Sequence, residues 1–318
     1  MSRSNGSSRE PAPWRDRVSQ ALPFLETFVV IASIAVIAGC LYIFWVLVTD
    51  PERGEVWTSG LHPAHFYRDL DAELLDDYAN TFVVGHNSGD RIDSALQAIY
   101  YGADVIEVDV VAVNGRLYAG HDAPPTWIGD NLFRGPPLDR IWVAASGAQA
   151  VKLDLKESSP AFVALVMDFL AQHRGQRQVI VVSGDPAVLR RIGEQEPSVF
   201  RLLSIGSEPR LESIFENPEL VDGLDGVSIR ESLITGERME WLADHHLLTF
   251  AWTVNDLERV NELVLLGVDA ITTDNLAIMR LLGGRSGREK RLERKPAAHP
   301  SPAAATATIG LLDRWRIL

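Results

Sequence analysis

The sequence predicts an α/β fold, a (β/α)8 barrel of the TIM type preceded by one transmembrane helix. Two patterns predict the barrel. Between residues 81 and 283, short β-branched runs alternate with amphipathic helical runs, and the alternation occurs eight times. Apolar strands separated by helices indicate a parallel sheet covered on both faces, and eight such units in series indicate a closed barrel. A third observation predicts the helix: one uncharged apolar run near the N-terminus. A doubly wound open sheet is the alternative, and the lack of a glycine-rich nucleotide loop after the first strand counts against it.

Composition narrows the function classes. The chain has 318 residues and a formal net charge of −13, with 43 acids against 30 bases, which argues against a general nucleic-acid binder. One cysteine excludes an intrachain disulfide and cysteine-based zinc sites. Any metal must therefore be held by oxygen or imidazole. A phosphate ligand stays possible despite the acidic balance, because a bound cation reverses the local field.

The chain divides at composition changes. Residues 1–26 carry Arg3, Arg9, Arg15 and Arg17 and form a cytoplasmic segment. Residues 27–49 form the transmembrane helix. Its 22 uncharged residues, 27–48, reach roughly 33 Å at helical rise, enough for a bilayer core. Tyr42, Phe44 and Trp45 suit the far interface, and only Arg53 follows within the next fifteen residues. The positive-inside rule puts the N-terminus in the cytoplasm of a single-pass cell-membrane protein, with the barrel outside. A cleaved signal peptide is disfavoured by the length of the run. A lipoprotein box ending at Cys40 is disfavoured by the apolar residues after it, so Cys40 reads as a small residue within the membrane. Residues 50–80 form a linker, 81–283 the barrel, and 284–318 a basic, then Pro/Ala/Thr-rich tail expected to be disordered.

The barrel strands are expected at 82–85, 105–110, 150–155, 179–183, 199–205, 226–229, 248–253 and 270–272. Helices are expected at 161–173, 237–246 and 257–266 among others. Reactive groups of such barrels collect at the C-terminal ends of strands. The first strand ends in His86 and Asn87. The second carries Glu107 and Asp109, two apart and therefore on one face. Two carboxylates on one face of an apolar strand are costly unless a cation joins them, whether a metal ion or the side chain of a lysine or arginine. Downstream stand His121 and Asp122, then Lys152, Asp154 and Lys156, which share a face by the same period of two. Three carboxylates, two histidines and a lysine suit a hard divalent cation, a phosphate and an acid/base pair. His62, His65, His173, His245, His246 and His299 lack strand-end placement and read as surface or helix-end residues. Asp122 is expected to support the loop around His121, and Asp274 to cap the loop after the last strand. Trp127 and Phe133 fall in a Pro/Gly-rich loop and read as local packing, with contact to a lipid or substrate chain as the other reading.

The run FVVGHNSGDRIDSALQAIYYGADVIEVDVVAVNGRLYAGHD resembles the glycerophosphodiester phosphodiesterase family. LDLK, FAWTVND and GVDAITTDN resemble later strands of the same family, in order, so the resemblance spans about residues 82–280. It implies a (β/α)8 barrel and a divalent metal, Ca2+ or Mg2+, held by Glu107, Asp109 and Asp154. His86 and His121 would be the general acid/base pair. Lys156 would neutralise phosphate charge, and Trp252 would line the substrate mouth. Asn87 stands where the family has a phosphate-binding arginine. The family's Pro-Glu-Asn-Thr block falls on Arg91-Ile92-Asp93-Ser94 and lacks its glutamate. The third acid is aspartate where many members have glutamate; the aspartate and the loosened opening motif resemble sphingomyelinase-D-type relatives of the same superfamily. The implied activity is hydrolysis of glycerophosphodiesters or lysophospholipid headgroups. Two alternatives stay open: a phospholipase-D-like lyase that stops at a cyclic phosphate, and a degenerate barrel that acts as an envelope binding or scaffold protein.

Overall fold

The computed structural model describes residues 31–39, 41, 78, 80–122, 135–283 and 292–295. The chain divides into two compact units, Met1–Arg53 and Gly54–Leu318. In the first, residues 31–39 and 41 are helical. Among the described residues no helix is long and apolar enough to cross a membrane. The rest of the 27–49 run, Cys40 included, lies outside the described residues, as do the N-terminal arginines, the expected linker apart from residues 78 and 80, and Trp127 and Phe133.

The second unit is a closed barrel. Its strands are β1 (Phe82–Gly85), β2 (Val105–Val113), β3 (Arg116–Ala119), β4 (Ala150–Leu155), β5 (Gln178–Ser183), β6 (Phe200–Ile205), β7 (Gly226–Arg230), β8 (Leu248–Trp252) and β9 (Ala270–Thr273). Their order is β1-β9-β8-β7-β6-β5-β4-β2-β3, and pairing of β1 with β2 closes the ring. All neighbours are parallel except β3, which turns back on β2. All eight expected strands are therefore present as the eight parallel staves.

The helices are α1 (Ile92–Tyr100), α2 (Leu138–Ala144), α3 (Pro160–Gln172), α4 (Pro186–Gln195), α5 (Glu208–Glu216), α6 (Gly236–Asp244), α7 (Leu257–Leu265) and α8 (Leu276–Gly283). Several starts are marked chemically. Ser159 and Asp185 accept backbone N–H bonds and are each followed by proline, while Thr235 and Asp256 cap α6 and α7.

β3 is absent from the sequence expectation. Asn114 and Gly115 separate it from β2, with φ of 51° and 73°. Positive φ at both central residues is the geometry of a two-residue hairpin that fits strand twist, and Asn-Gly is its strongest short signal. The hairpin positions His121, because Gly120 N–H donates to the Asp109 carbonyl at 2.8 Å.

Alternation sorts the barrel residues into two cores. Side chains between sheet and helices form the larger cluster. The inward cluster includes Val84, Val105, Ala150, Ile180, Leu202 and Phe250, and Leu292 from the tail joins it. The same inward parity, continued toward the C-terminal ends of strands, reaches His86, Glu107, Asp109, Asp154 and Trp252.

At the opposite end a short motif recurs. Gly102-Ala103-Asp104, Gly223-Leu224-Asp225 and Gly267-Val268-Asp269 precede β2, β7 and β9. The glycines have φ of 96°, 72° and 80°, which turns the chain from helix to strand at no steric cost. Each aspartate then accepts the N–H of a residue on the preceding parallel strand: Val83 at 2.9 Å, Arg201 at 2.9 Å and Thr249 at 2.8 Å. These bonds tie strand starts together.

The expected solvated tail differs over residues 292–295. Gln178 brackets the Leu292 backbone, donating to its carbonyl at 2.9 Å and accepting from its N–H at 3.0 Å. Arg294 pairs with Asp225, and Lys295 Nζ donates to Asp269 at 2.9 Å. One apolar residue inside a basic run is what lets this piece close the N-terminal mouth, with Leu292 only 4% exposed.

Candidate active site

His86 follows β1, and its backbone N–H donates to the Thr273 carbonyl at 3.0 Å. Its ring is held by Asp274, whose Oδ1 lies 2.8 Å from His86 Nδ1. Asn255 in turn donates to the other Asp274 oxygen at 3.0 Å and accepts from the Asp274 N–H at 2.9 Å. Asp274 thus does more than cap a loop, as the sequence suggested. It orients the histidine that the sequence singled out. Burial disfavours a charged imidazole, but the Asp274 hydrogen bond and the Glu107 and Asp274 charges outweigh it and raise the His86 pKa to about 9.

The acids are paired by register. Glu107 lies level with Lys152, and Asp109 with Asp154. Lys152, 1% exposed, donates to Glu107 Oε1 at 2.7 Å. Lys156 Nζ stands 3.0 Å from Asp154 and 3.2 Å from Asp109. Burial opposes ionisation of Glu107, yet the Lys152 and His86 charges hold its pKa below the usual value. Asp109 is pushed up to about 7 by burial, against the pull of Lys156 and with the push of Asp154 and Glu107. Lys156 sits in the reverse situation: burial works against its charge, but the two aspartates raise its pKa.

A fourth carboxylate belongs here. Asp90 Oδ1 accepts the Asp109 N–H at 2.9 Å. Burial and the Asp109 charge push its pKa well above the ordinary aspartate value. A Cβ on Gly89 would lie 2.2 Å from Val108 Cγ2, so the glycine lets this turn press against β2. The segment Arg91-Ile92-Asp93-Ser94, aligned above with the family block, instead lies at the surface start of α1, where Arg91 pairs with Asp93 at 2.7 Å. The signal for Asp90 was available as an acid four residues beyond His86 in a short turn.

His121 is 43% exposed in its side chain, and its Nδ1 lies 3.3 Å from Asp122. Asn87 is buried with φ 46°, a left-handed turn that asparagine tolerates better than arginine. This position is a turn element. Trp252 ends β8, with the Arg230 guanidinium 5.5 Å from its ring centroid.

The three expected ligands do not form a ready metal cage. Among the described residues no group of three His, Cys, Asp or Glu side chains is arranged to hold a metal ion. The physical reason is that lysine ammonium groups stand against Glu107 and between Asp109 and Asp154. The donor chemistry nevertheless fits a hard cation. Among the described residues, Glu107 Oε2 and Asp109 Oδ2 are buried without a hydrogen-bond donor, and Asp109 Oδ1 has the Lys156 ammonium at 3.2 Å, a partly satisfied state that a further cation relieves.

Residues 144–278 match the model of the glycerophosphoryl diester phosphodiesterase family. The match holds Asp154, Lys156, Trp252 and Asp274, while His86, Glu107, Asp109 and His121 precede it. No curated protein matches the chain's sequence. Among solved structures, a glycerophosphoryl diester phosphodiesterase from Silicibacter pomeroyi is 17% identical, with a TM-score of 0.55 over 68% of this chain and 99% of that one. An Oleispira antarctica phosphodiesterase in complex with sn-glycerol-3-phosphate is 17% identical, with 0.54 over 65% and 98%. A Parabacteroides distasonis glycerophosphodiester phosphodiesterase is 19% identical, with 0.54 over 65% and 99%. At these identities the likeness shows the fold. The family that the motifs resemble and the family whose model matches residues 144–278 are the same.

Proposed function

We propose that this domain hydrolyses glycerophosphodiesters or lysophospholipid headgroups with a divalent ion, Ca2+ or Mg2+, bound at Glu107, Asp109 and Asp154. The observation that carries the reading is the buried pair Glu107 and Asp109, each with one oxygen that its lysine leaves unsatisfied, beside a charged histidine. When bound, the ion would supply positive charge to a phosphate oxygen.

The residues divide the remaining work. His86, charged at neutral pH and braced by Asp274, donates a proton to the leaving alcohol oxygen. His121, at the open rim, accepts the proton of the attacking glycerol hydroxyl. That attack forms a cyclic phosphate, and water opens it with the two roles exchanged. Lys156, raised in pKa between two aspartates, stays charged and faces the phosphate. Trp252 borders the mouth at the end of β8.

We further propose that residues 27–49 anchor the chain in the cell membrane with the barrel outside. The reading rests on the uncharged run and the arginine asymmetry. Protease added to intact cells should degrade the barrel, and protection until lysis would overturn the orientation.

The Lys152–Glu107 pair favours one second reading, a barrel that binds a phosphodiester without turning it over. Activity of the full chain against several glycerophosphodiesters, with and without chelator, separates the two. Phosphorus NMR of the product separates hydrolysis from release of the cyclic phosphate. Turnover that is absent with every substrate and metal would sink the enzymatic reading.

A further inference from the structure

The mouth of the barrel has two unlike halves. His86 follows β1, Glu107 and Asp109 stand on β2, and Asp154 stands on β4, three neighbouring staves. β7 lies four staves from β2 in either direction round the ring. Its C-terminal end therefore stands across the mouth from these acids, and the residue there is Arg230.

Parity and register fix where Arg230 points. Val227 and Ile229 pack outward, in the core between sheet and helices. Gly226 faces the interior, because a Cβ there would lie 2.8 Å from Leu202 Cδ2 of the inward cluster. Arg230 has the same parity as Gly226. It lies level with Trp252 on the parallel strand β8, where Leu248 and Phe250 of the inward cluster precede Trp252 at intervals of two. Its Cζ lies 5.5 Å from the Trp252 ring centroid, within cation–π range. The indole leans across the end of β7 toward β6: a Cβ on Gly206, just after β6, would lie 3.4 Å from Trp252 Cη2.

Charge separates Arg230 from other cations of the mouth. Lys152 stands against Glu107, Lys156 against Asp109 and Asp154, and His86 against Asp274. The acid next to Arg230 in sequence, Glu231, is taken by Arg259 at 2.8 Å. Among the described residues Arg230 has no carboxylate partner, and it is exposed where the rest of β7 is buried. The indole face beside it already carries a positive charge. That face therefore disfavours a quaternary ammonium, the cation that an unoccupied tryptophan face attracts.

We propose that Arg230 and Trp252 form a headgroup subsite that selects an anionic alcohol half of the diester, one bearing a carboxylate or a second phosphate. The proposal rests on the phosphodiesterase reading above. The reacting phosphate is held on the β2 and β4 side, and the guanidinium meets the paired oxygens of the second anion across the mouth. Arg230 sets specificity and takes no part in proton transfer.

Two matched pairs of substrates test this on the full chain. Glycerophosphoserine differs from glycerophosphoethanolamine by one carboxylate. Glycerophosphoinositol 4-phosphate differs from glycerophosphoinositol by one phosphate. The parent should favour the more anionic member of a pair in kcat/KM, through KM. Arg230→Gln should lower that preference roughly tenfold, and Arg230→Glu should reverse it. A loss confined to one pair assigns the subsite to that anion. Equal loss on both members of each pair, or an unaltered preference, would overturn the subsite. Phenylglyoxal modification of the unaltered chain, read by peptide mass spectrometry, needs neither turnover nor a folded variant. An anionic member should slow modification of Arg230 severalfold more than its matched counterpart does, with the exposed Arg191 as internal control. A chain that turns over no diester yet shows this protection would overturn the catalytic reading and keep the subsite. Turnover with no such protection in either pair would overturn the subsite alone.

Discussion

Asp104, Asp225 and Asp269 at one end of the barrel each find backbone donors, whereas Glu107 and Asp109 at the other end keep oxygens with none. Both groups of acids are buried, so burial alone does not separate structure from chemistry. What separates them is whether the fold itself supplies the partner. At the N-terminal end the partners are backbone N–H groups and the tail's Arg294 and Lys295. At the C-terminal end the partners are lysines one strand away, and they cover only part of the carboxylate surface. The first arrangement stores stability, and the second stores affinity for something the chain does not contain. This agrees with the general division of such barrels into a stabilising and a reactive face.

The largest expected effect belongs to the reactive end. His86→Ala should lower turnover by about 10²–10⁴-fold, the range for a positioned acid or base. The alkaline side of the pH profile gives a second readout. His86 is raised from an ordinary 6.5 to about 9, so its proton is present at neutral pH and lost as pH rises through about 9. Stability follows the same sign: the contribution of charged His86 is complete below its unfolded value and fades as pH rises through about 9. Asp274→Asn should move both the rate and the stability limb to lower pH. A limb that stays near 9 in that variant would remove Asp274 from its assigned position.

Lys152→Met comes next and sharpens the contrast. Removing one partner of a buried ion pair costs about 3–5 kcal/mol. Here Glu107 would be left charged with neither lysine nor donor on Oε1. Thermal melts in chelator should show that loss, and added Ca2+ or Mg2+ should restore most of it. Divalent affinity should also rise, because the ammonium no longer competes for Glu107. A melt that ignores metal would show that Glu107 is a structural acid like those at the other end.

Asp225→Asn should do the reverse. Asp225 is 8% exposed and holds the Arg201 N–H, the Arg201 side chain and Arg294. Losing its charge should cost about 1–3 kcal/mol of stability and leave turnover per folded molecule unchanged. A fall in turnover without a fall in melting temperature would break the division between the two ends.

The sequence carries the barrel clearly because periodicity is a property of each strand and helix alone. It carries His86, Glu107, Asp109, Asp154 and Lys156 for the same reason, since inward parity and strand ends can be counted. The Asp274–His86 bond was not legible, because it joins residues 188 apart and only closure of β1 against β9 brings them together. The pairing of Lys152 with Glu107 needed the register of β2 on β4. The docking of residues 292–295 is not legible in the sequence, because one leucine among basic residues does not change the local composition. By contrast, the Gly-x-Asp repeat and Asn114-Gly115 were present in plain sequence, and only their turn geometry gave them meaning.

The smallest effect concerns Asn87, at the boundary between fold and site. Its φ of 46° places it in the left-handed region, and its side chain is buried at the turn after β1. An arginine there meets a strain of about 1 kcal/mol, and its long side chain must leave the buried position and extend over the site. If the site takes an ordinary glycerophosphodiester, the added guanidinium should meet the phosphate and lower KM severalfold, with kcat little changed. If the substrate carries a bulky lipid chain above this turn, the same side chain should obstruct it and raise KM. The two outcomes differ in sign, so Michaelis curves for Asn87→Arg with glycerophosphocholine and with lysophosphatidylcholine distinguish the substrate classes. Identical curves for variant and parent on both substrates would show that the turn after β1 lies outside the substrate's reach, and Asn87 would then group with the stabilising residues of the opposite end.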